Sequence, residues 1–93
     1  MTPLRFKTII LGALTAWELD HLVTFNGTGL SCEIKVKRGF SVAVVFQKES
    51  FGNIWKISKS GEKERIHPSI GAALKGLSLT LCPDRLIGRV LFA

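Results

Sequence analysis

Cys32, Ile34 and Val36 alternate with Glu33, Lys35 and Lys37, and Phe40, Val42, Val44 and Phe46 continue the apolar phase on even positions. That period of two predicts a β-hairpin. A two-residue loop at Arg38-Gly39 would set Val36 opposite Ser41 and mix core and solvent positions on one face. A three-residue loop, Lys37-Arg38-Gly39, avoids the clash if Gly39 takes the left-handed position of a bulge. Val36 then faces Phe40, Ile34 faces Val42 and Cys32 faces Val44. The opposite face, with Glu33, Lys35, Ser41, Ala43, Val45 and Gln47, is only half polar, which places the second strand (40–48) inside its sheet.

A third strand is expected over about 54–59, with Trp55 and Ile57 on one side and Lys56 and Ser58 on the other, followed by a turn at Ser60-Gly61-Glu62. Upstream, Arg5 and Lys7 alternate with Leu4 and Phe6, which suits a strand over 4–11. Thr15-Ala16-Trp17-Glu18 has the spacing of a capping box, and Leu14 and Leu19 occupy the hydrophobic-staple positions, so a helix is expected over 15–24 with its stop at Asn26-Gly27. One long helix opened by Thr2-Pro3 is the alternative. Downstream, His67-Pro68 is expected to open a helix with Pro68 in its first position and Gly76 as its stop. Leu77, Leu79 and Leu81 then alternate as a strand over 77–82, the Cys82–Arg85 loop follows, and 86–92 forms a last strand. The expected architecture is α+β: a small antiparallel sheet with two short helices packed on one face, in a βαββ-βαββ order that is topological only.

The 93 residues allow one domain over 1–93, and 46% apolar against 22% charged residues excludes disorder, collagen and coiled coil. Two cysteines, Cys32 and Cys82, are too few for a disulfide scaffold and are expected to be reduced and buried. Arg5 and Lys7 before the apolar run from Ile9 to Trp17 have the outline of a signal-peptide core. However, Leu14 stands where cleavage before Ala16 needs a small residue, and Glu18 and Asp20 end the run far short of the ~20 residues that span a bilayer. A cytoplasmic location and no membrane partner are expected.

Catalytic chemistry has little to work with. His21 and His67 are the only histidines, and Glu18 and His21 would share a helix face but make only half a metal site. Cys32, the one nucleophile that either histidine would serve, lies on the expected core face, where thiols are inert. Neither an enzyme nor a cofactor or metal is expected. Gly27-Thr28-Gly29 follows a helix and precedes a strand in this scheme, the reverse of a phosphate-binding loop, so it is assigned to a helix stop and connection. Arg38-Gly39-Phe40 opens like the signature of the RNA-recognition motif, but Val42 and Val45 stand where that family has aromatic residues. The stacking platform is therefore missing and Phe40 is assigned to the core.

The charge pattern is more informative. Thirteen Lys and Arg against seven Asp and Glu give +6. The first thirty residues are neutral, while 31–66 hold eight basic groups against four acidic ones. Such an excess favours an anionic partner. The candidate binding residues are Lys35, Lys37, Arg38, Lys56, Lys59, Lys63 and Arg65, with Trp55 as an exposed aromatic beside them for stacking or docking. Trp17 is assigned to the core. Two functions are expected in order. The first is a non-enzymatic binding protein docking on a larger protein or nucleoprotein as a regulator or inhibitor. Antagonists from viruses and mobile elements, anti-CRISPR proteins among them, are similar in size and in lacking catalytic motifs. The second is direct binding of DNA or RNA through a basic sheet or hairpin surface. Half-polar faces and free edges also allow a homodimer by edge pairing.

Overall fold

A computed structural model describes residues 1–37 and 39–81 of the chain. Its element order is α1 (Pro3–Ala16), β1 (Val23–Thr28), β2 (Ser31–Val36), β3 (Ser41–Glu49), β4 (Gly52–Lys59), β5 (Arg65–His67) and α2 (Ile70–Leu81). The five strands form one antiparallel sheet in the order β1-β2-β3-β4-β5, and both helices bury their apolar stripes on the same face of it. The α+β class with two helices on one face is therefore as expected, whereas the βαββ-βαββ order is not. The helices flank a five-stranded meander. The expected strand over 86–92 and its loop lie outside the described residues, as do Cys82 and Arg38.

The central hairpin forms in the expected register. Ile34 pairs with Val42 and Cys32 with Val44, the Val36 amide donates to the Phe40 carbonyl at 2.9 Å, and Gly39 has φ 111°. β3 is interior, between β2 and β4, which explains its half-polar second face. At the next turn Gly29, with φ 62°, takes the first central position between paired Thr28 and Ser31, as a type II′ turn requires.

The N-terminal expectation is overturned, and of its alternative the helix opened by Thr2-Pro3 forms but ends at Ala16. Residues 4–11 are helical. Thr2 caps α1, accepting from the Arg5 amide at 3.1 Å, with Pro3 in the first turn, and Phe6, Ile10 and Leu14 form a stripe at spacing four that is fully buried. The residues read as an N-terminal box instead end this helix. The Leu19 amide donates to the Leu14 carbonyl at 2.9 Å and the Glu18 amide to the Thr15 carbonyl at 3.0 Å, while Glu18 takes φ 59°. That is a Schellman stop, with Glu18 where glycine usually sits. The contact expected of a staple becomes its C-terminal counterpart, since Leu14 and Leu19 are both buried there. No helix covers 17–24. Asn26, Gly27 and Thr28 belong to β1, not to a helix stop, and Glu18 and His21 share no helix face.

The C-terminal half departs in the same way. His67 ends β5, Pro68 precedes the helix, and Ser69 caps it, its Oγ accepting from the Ala72 amide at 3.2 Å. α2 runs through Gly76 to Leu81, so 77–81 is helix rather than strand. Ala73, Leu77 and Leu81 share one buried stripe at spacing four, while Leu79 stays 46% exposed. The hydroxyls of Ser78 and Thr80 donate back to the Lys75 carbonyl at 3.0 Å and the Gly76 carbonyl at 2.7 Å, which keeps two poor helix formers compatible with the helix.

The core lies between the helices and the inward residues of β2, β3 and β4, namely Cys32, Ile34, Val42, Val44, Trp55 and Ile57. Phe6 of α1 stacks on Trp55 with ring centroids 5.7 Å apart and an interplanar angle of 14°, and Phe46 meets Trp55 edge-on at 5.0 Å. No helix among the described residues is long and apolar enough to cross a membrane.

Candidate anion-binding end of the sheet

Antiparallel pairing brings the β2–β3 tip and the β4–β5 turn to one end of the sheet. Val42 pairs with Lys59, and the Ser60 amide donates to the Ser41 carbonyl at 2.9 Å, which ties the two turns together. Lys59 spans them: its Nζ lies 4.5 Å from the centroid of the Phe40 ring and 3.7 Å from a Glu62 carboxylate oxygen. Lys37 and Lys63 are exposed on the turns at this end. Along β4 and β5, Trp55 pairs with His67 and Ile57 with Arg65, so Arg65 and His67 carry on the inward phase of the sheet where it emerges from beneath α2.

The result is a cleft of about 500 Å³ between β4–β5 and α2, lined by Lys59, Glu62, Arg65, His67 and, from the helix, Ala72, Lys75, Gly76, Leu79 and Thr80. Gly76 explains its shape. A Cβ there would stand 2.7 Å from Cε1 and 2.9 Å from Nε2 of His67, so the imidazole lies directly against the helix backbone. The expectation of a helix stop at Gly76 is thus replaced by close approach. Among the described residues Arg65 and Lys75 have no carboxylate within 4.0 Å, and the His67 ring has no hydrogen-bond partner. The Thr80 hydroxyl proton is already engaged by the Gly76 carbonyl.

The open face of the sheet is different. Lys35 and Lys56 project from it together with Glu33, Glu49 and Glu64, by the alternation of the paired strands. Lys56 Nζ lies 4.0 Å from Glu64, and Gln47 donates to Glu49. Three acids there offset two cations, with Ala43, Val45, Ile66 and the buried Ile54 between them.

Of the eight predicted binding residues, Lys59 and Arg65 line the cleft, Lys37 and Lys63 lie on the exposed turns at the same end, and Lys35 and Lys56 project from the open face instead. Trp55 is a correction. It is 3% exposed and sandwiched in the core, because its pairing with Phe46 puts it on the inward side. Arg38 lies outside the described residues. Trp17 is partly buried against the core, as expected. His67, Lys75 and Glu62 were missed as site residues. Lys75 already fell within the expected helix, and the helical spacing Ala73-Leu77-Leu81 was the signal that α2 continues through Leu79 and Thr80 to make the cleft wall.

Cys32 is buried and free, and burial pushes its thiol from 9.0 up to about 12 against a smaller opposing effect of the Val44 backbone hydrogen bond. No group of three or more His, Cys, Asp or Glu residues suited to a metal ion occurs among the described residues. Set against protein families, curated proteins and solved structures, the chain matches none.

Proposed function

We propose that this chain is a non-enzymatic binding protein that docks on a larger macromolecule, a nucleoprotein or an enzyme with an acidic patch, as a regulator or inhibitor. One observation carries this reading: the positive charge is sorted. Acids offset the lysines of the open face, whereas among the described residues Lys37, Lys59, Lys63, Arg65 and Lys75 lie at one end and its cleft against Glu62 and, on the same turn, Glu64, which turns to Lys56. A cationic end with an adjoining recess is the form that an acidic partner surface recognises. An antagonist carried by a virus or mobile element, in the manner of anti-CRISPR proteins, is the narrower form of the proposal, resting on size and the missing catalytic motif. A homodimer would use β1, whose six residues include no charge and no proline to protect that edge.

Direct nucleic-acid binding is the second reading, supported by Lys37 and Lys63 on adjacent exposed turns, where phosphates would reach them. It requires affinity to fall steeply with salt as contacts to phosphates are screened. Affinity capture of tagged protein from native lysate, divided into nuclease-treated and untreated halves, separates the two. Docking on protein predicts a defined protein set that survives nuclease. Loss of every bound species on treatment would sink it and leave nucleic-acid binding in its place.

A further inference from the structure

We infer that the cleft between β4–β5 and α2 takes a short acidic peptide segment of a protein partner, with a carboxylate on Arg65 and Lys75 and a neighbouring apolar side chain on Leu79. The inference rests on the docking reading above and names what occupies its recess.

Three features of the cleft select this ligand. Charge comes first. Arg65 and Lys75 have no carboxylate within 4.0 Å among the described residues, and Lys59, the third cation, is already shared between Glu62 and the Phe40 ring. Two free cations suit one or two carboxylates, and the planar guanidinium of Arg65 can hold a carboxylate through two parallel hydrogen bonds. Second, one wall is apolar: Leu79 is 46% exposed beside Ala72, on the turn of α2 that follows Lys75. A free phosphate gains nothing from that wall, whereas Leu, Ile or Phe next to Asp or Glu fills it. Third, the cleft is poorly built for nucleic acid. Among its described lining residues His67 is the one aromatic ring, and it lies against Gly76; Trp55 and Phe6 are buried in the core. A base therefore lacks the exposed stacking surface that single-strand binding uses. At about 500 Å³ the cleft accommodates a few side chains of a linear segment, not a folded surface.

The test is selection of a displayed random peptide library on the full-length protein, with counter-selection on the double variant Arg65→Glu/Lys75→Glu. Both proteins are checked for the same fold by their amide NMR spectra. The expected result is enrichment of peptides pairing Asp or Glu with Leu, Ile or Phe. As free peptides they should lose at least about tenfold in affinity on the double variant and less on Arg65→Lys, which keeps the charge but not the fork. No enrichment, or peptides that bind the variant equally well, overturns the inference. A labelled mixed-sequence single-stranded DNA is run in parallel, and its binding at the cleft, abolished by the double variant in the absence of any acidic peptide, overturns it in favour of nucleic acid. If the peptide fails while nuclease-resistant capture of protein persists, the docking reading stands and its occupant of the cleft is wrong.

Discussion

Val44 and Val45 are neighbours on one strand and face two different environments. Val44 points into the core and is almost wholly inaccessible, whereas Val45 belongs to the open face, among lysines offset by glutamates. The same alternation decides the fate of the cations. Lys56 projects from the open face beside Glu64, while Lys59 and Arg65 share the inward phase with Ile57 but lie where α2 no longer covers it. The covered face thus holds both the core and, along its β4–β5 margin, the cleft. A lysine in a basic protein takes its meaning from what covers and neighbours it, not from its distance along the chain to other lysines.

The covered face should be sensitive and the open face, apart from its buried Ile54, tolerant. Phe6→Ala removes a fully buried ring stacked on Trp55 and should cost about 3–5 kcal/mol in urea unfolding. High pH should attack the same face through Cys32. Its thiol is raised by burial from 9.0 to about 12, so the unfolded chain ionises first. The corresponding stability is complete below pH 9 and drains away between 9 and 12, an effect on the order of a few kcal/mol. The stability gap between wild type and Cys32→Ala should therefore narrow over that range; a constant gap would show that the thiol is not differentially buried. Val44→Ala should cost about 2 kcal/mol and Val45→Ala less than about 1 kcal/mol, and equal costs would erase the distinction between the faces.

Smaller effects test the two backbone devices. Glu18→Gly relieves a left-handed non-glycine residue at the end of α1 and should raise stability by about 1 kcal/mol. Gly76→Ala should gain about 1 kcal/mol in helix propensity and lose a similar amount by pushing the His67 ring away. Stability is then nearly unchanged while the His67 ring resonances move. Unmoved resonances would mean that the imidazole does not lie on the helix.

The β2–β3 hairpin was legible because period two, Gly39 and the need for one apolar face admit a single register. The helices were not, for a physical reason. Leu14 and Leu19 satisfy the apolar contact at either kind of helix end, and only φ at Glu18 tells which one forms. Leu77, Leu79 and Leu81 read as a strand at spacing two, yet Ala73, Leu77 and Leu81 lie at spacing four, and burial under the sheet selects the helix. β1 has two inward side chains large enough to notice, Val23 and Phe25, and β5 has three residues, so neither offers enough periodicity to detect. The cations of the site were legible as residues. Their partition was not, because it depends on β4–β5 pairing and on the continuation of α2. Trp55 could have been placed correctly from its shared phase with Ile57, had its lysine neighbours not weighed more than its period.

The central claim is that the charge at the end of the sheet binds and the charge on the open face does not. Quantitative mass spectrometry of nuclease-treated captures made with wild type, Lys59→Glu/Arg65→Glu and Lys35→Glu/Lys56→Glu tests it most directly. The account predicts that the proteins retained by wild type fall by at least about tenfold with the first pair and change less than about twofold with the second. Equal loss with both pairs, or greater loss with the open-face pair, would contradict it.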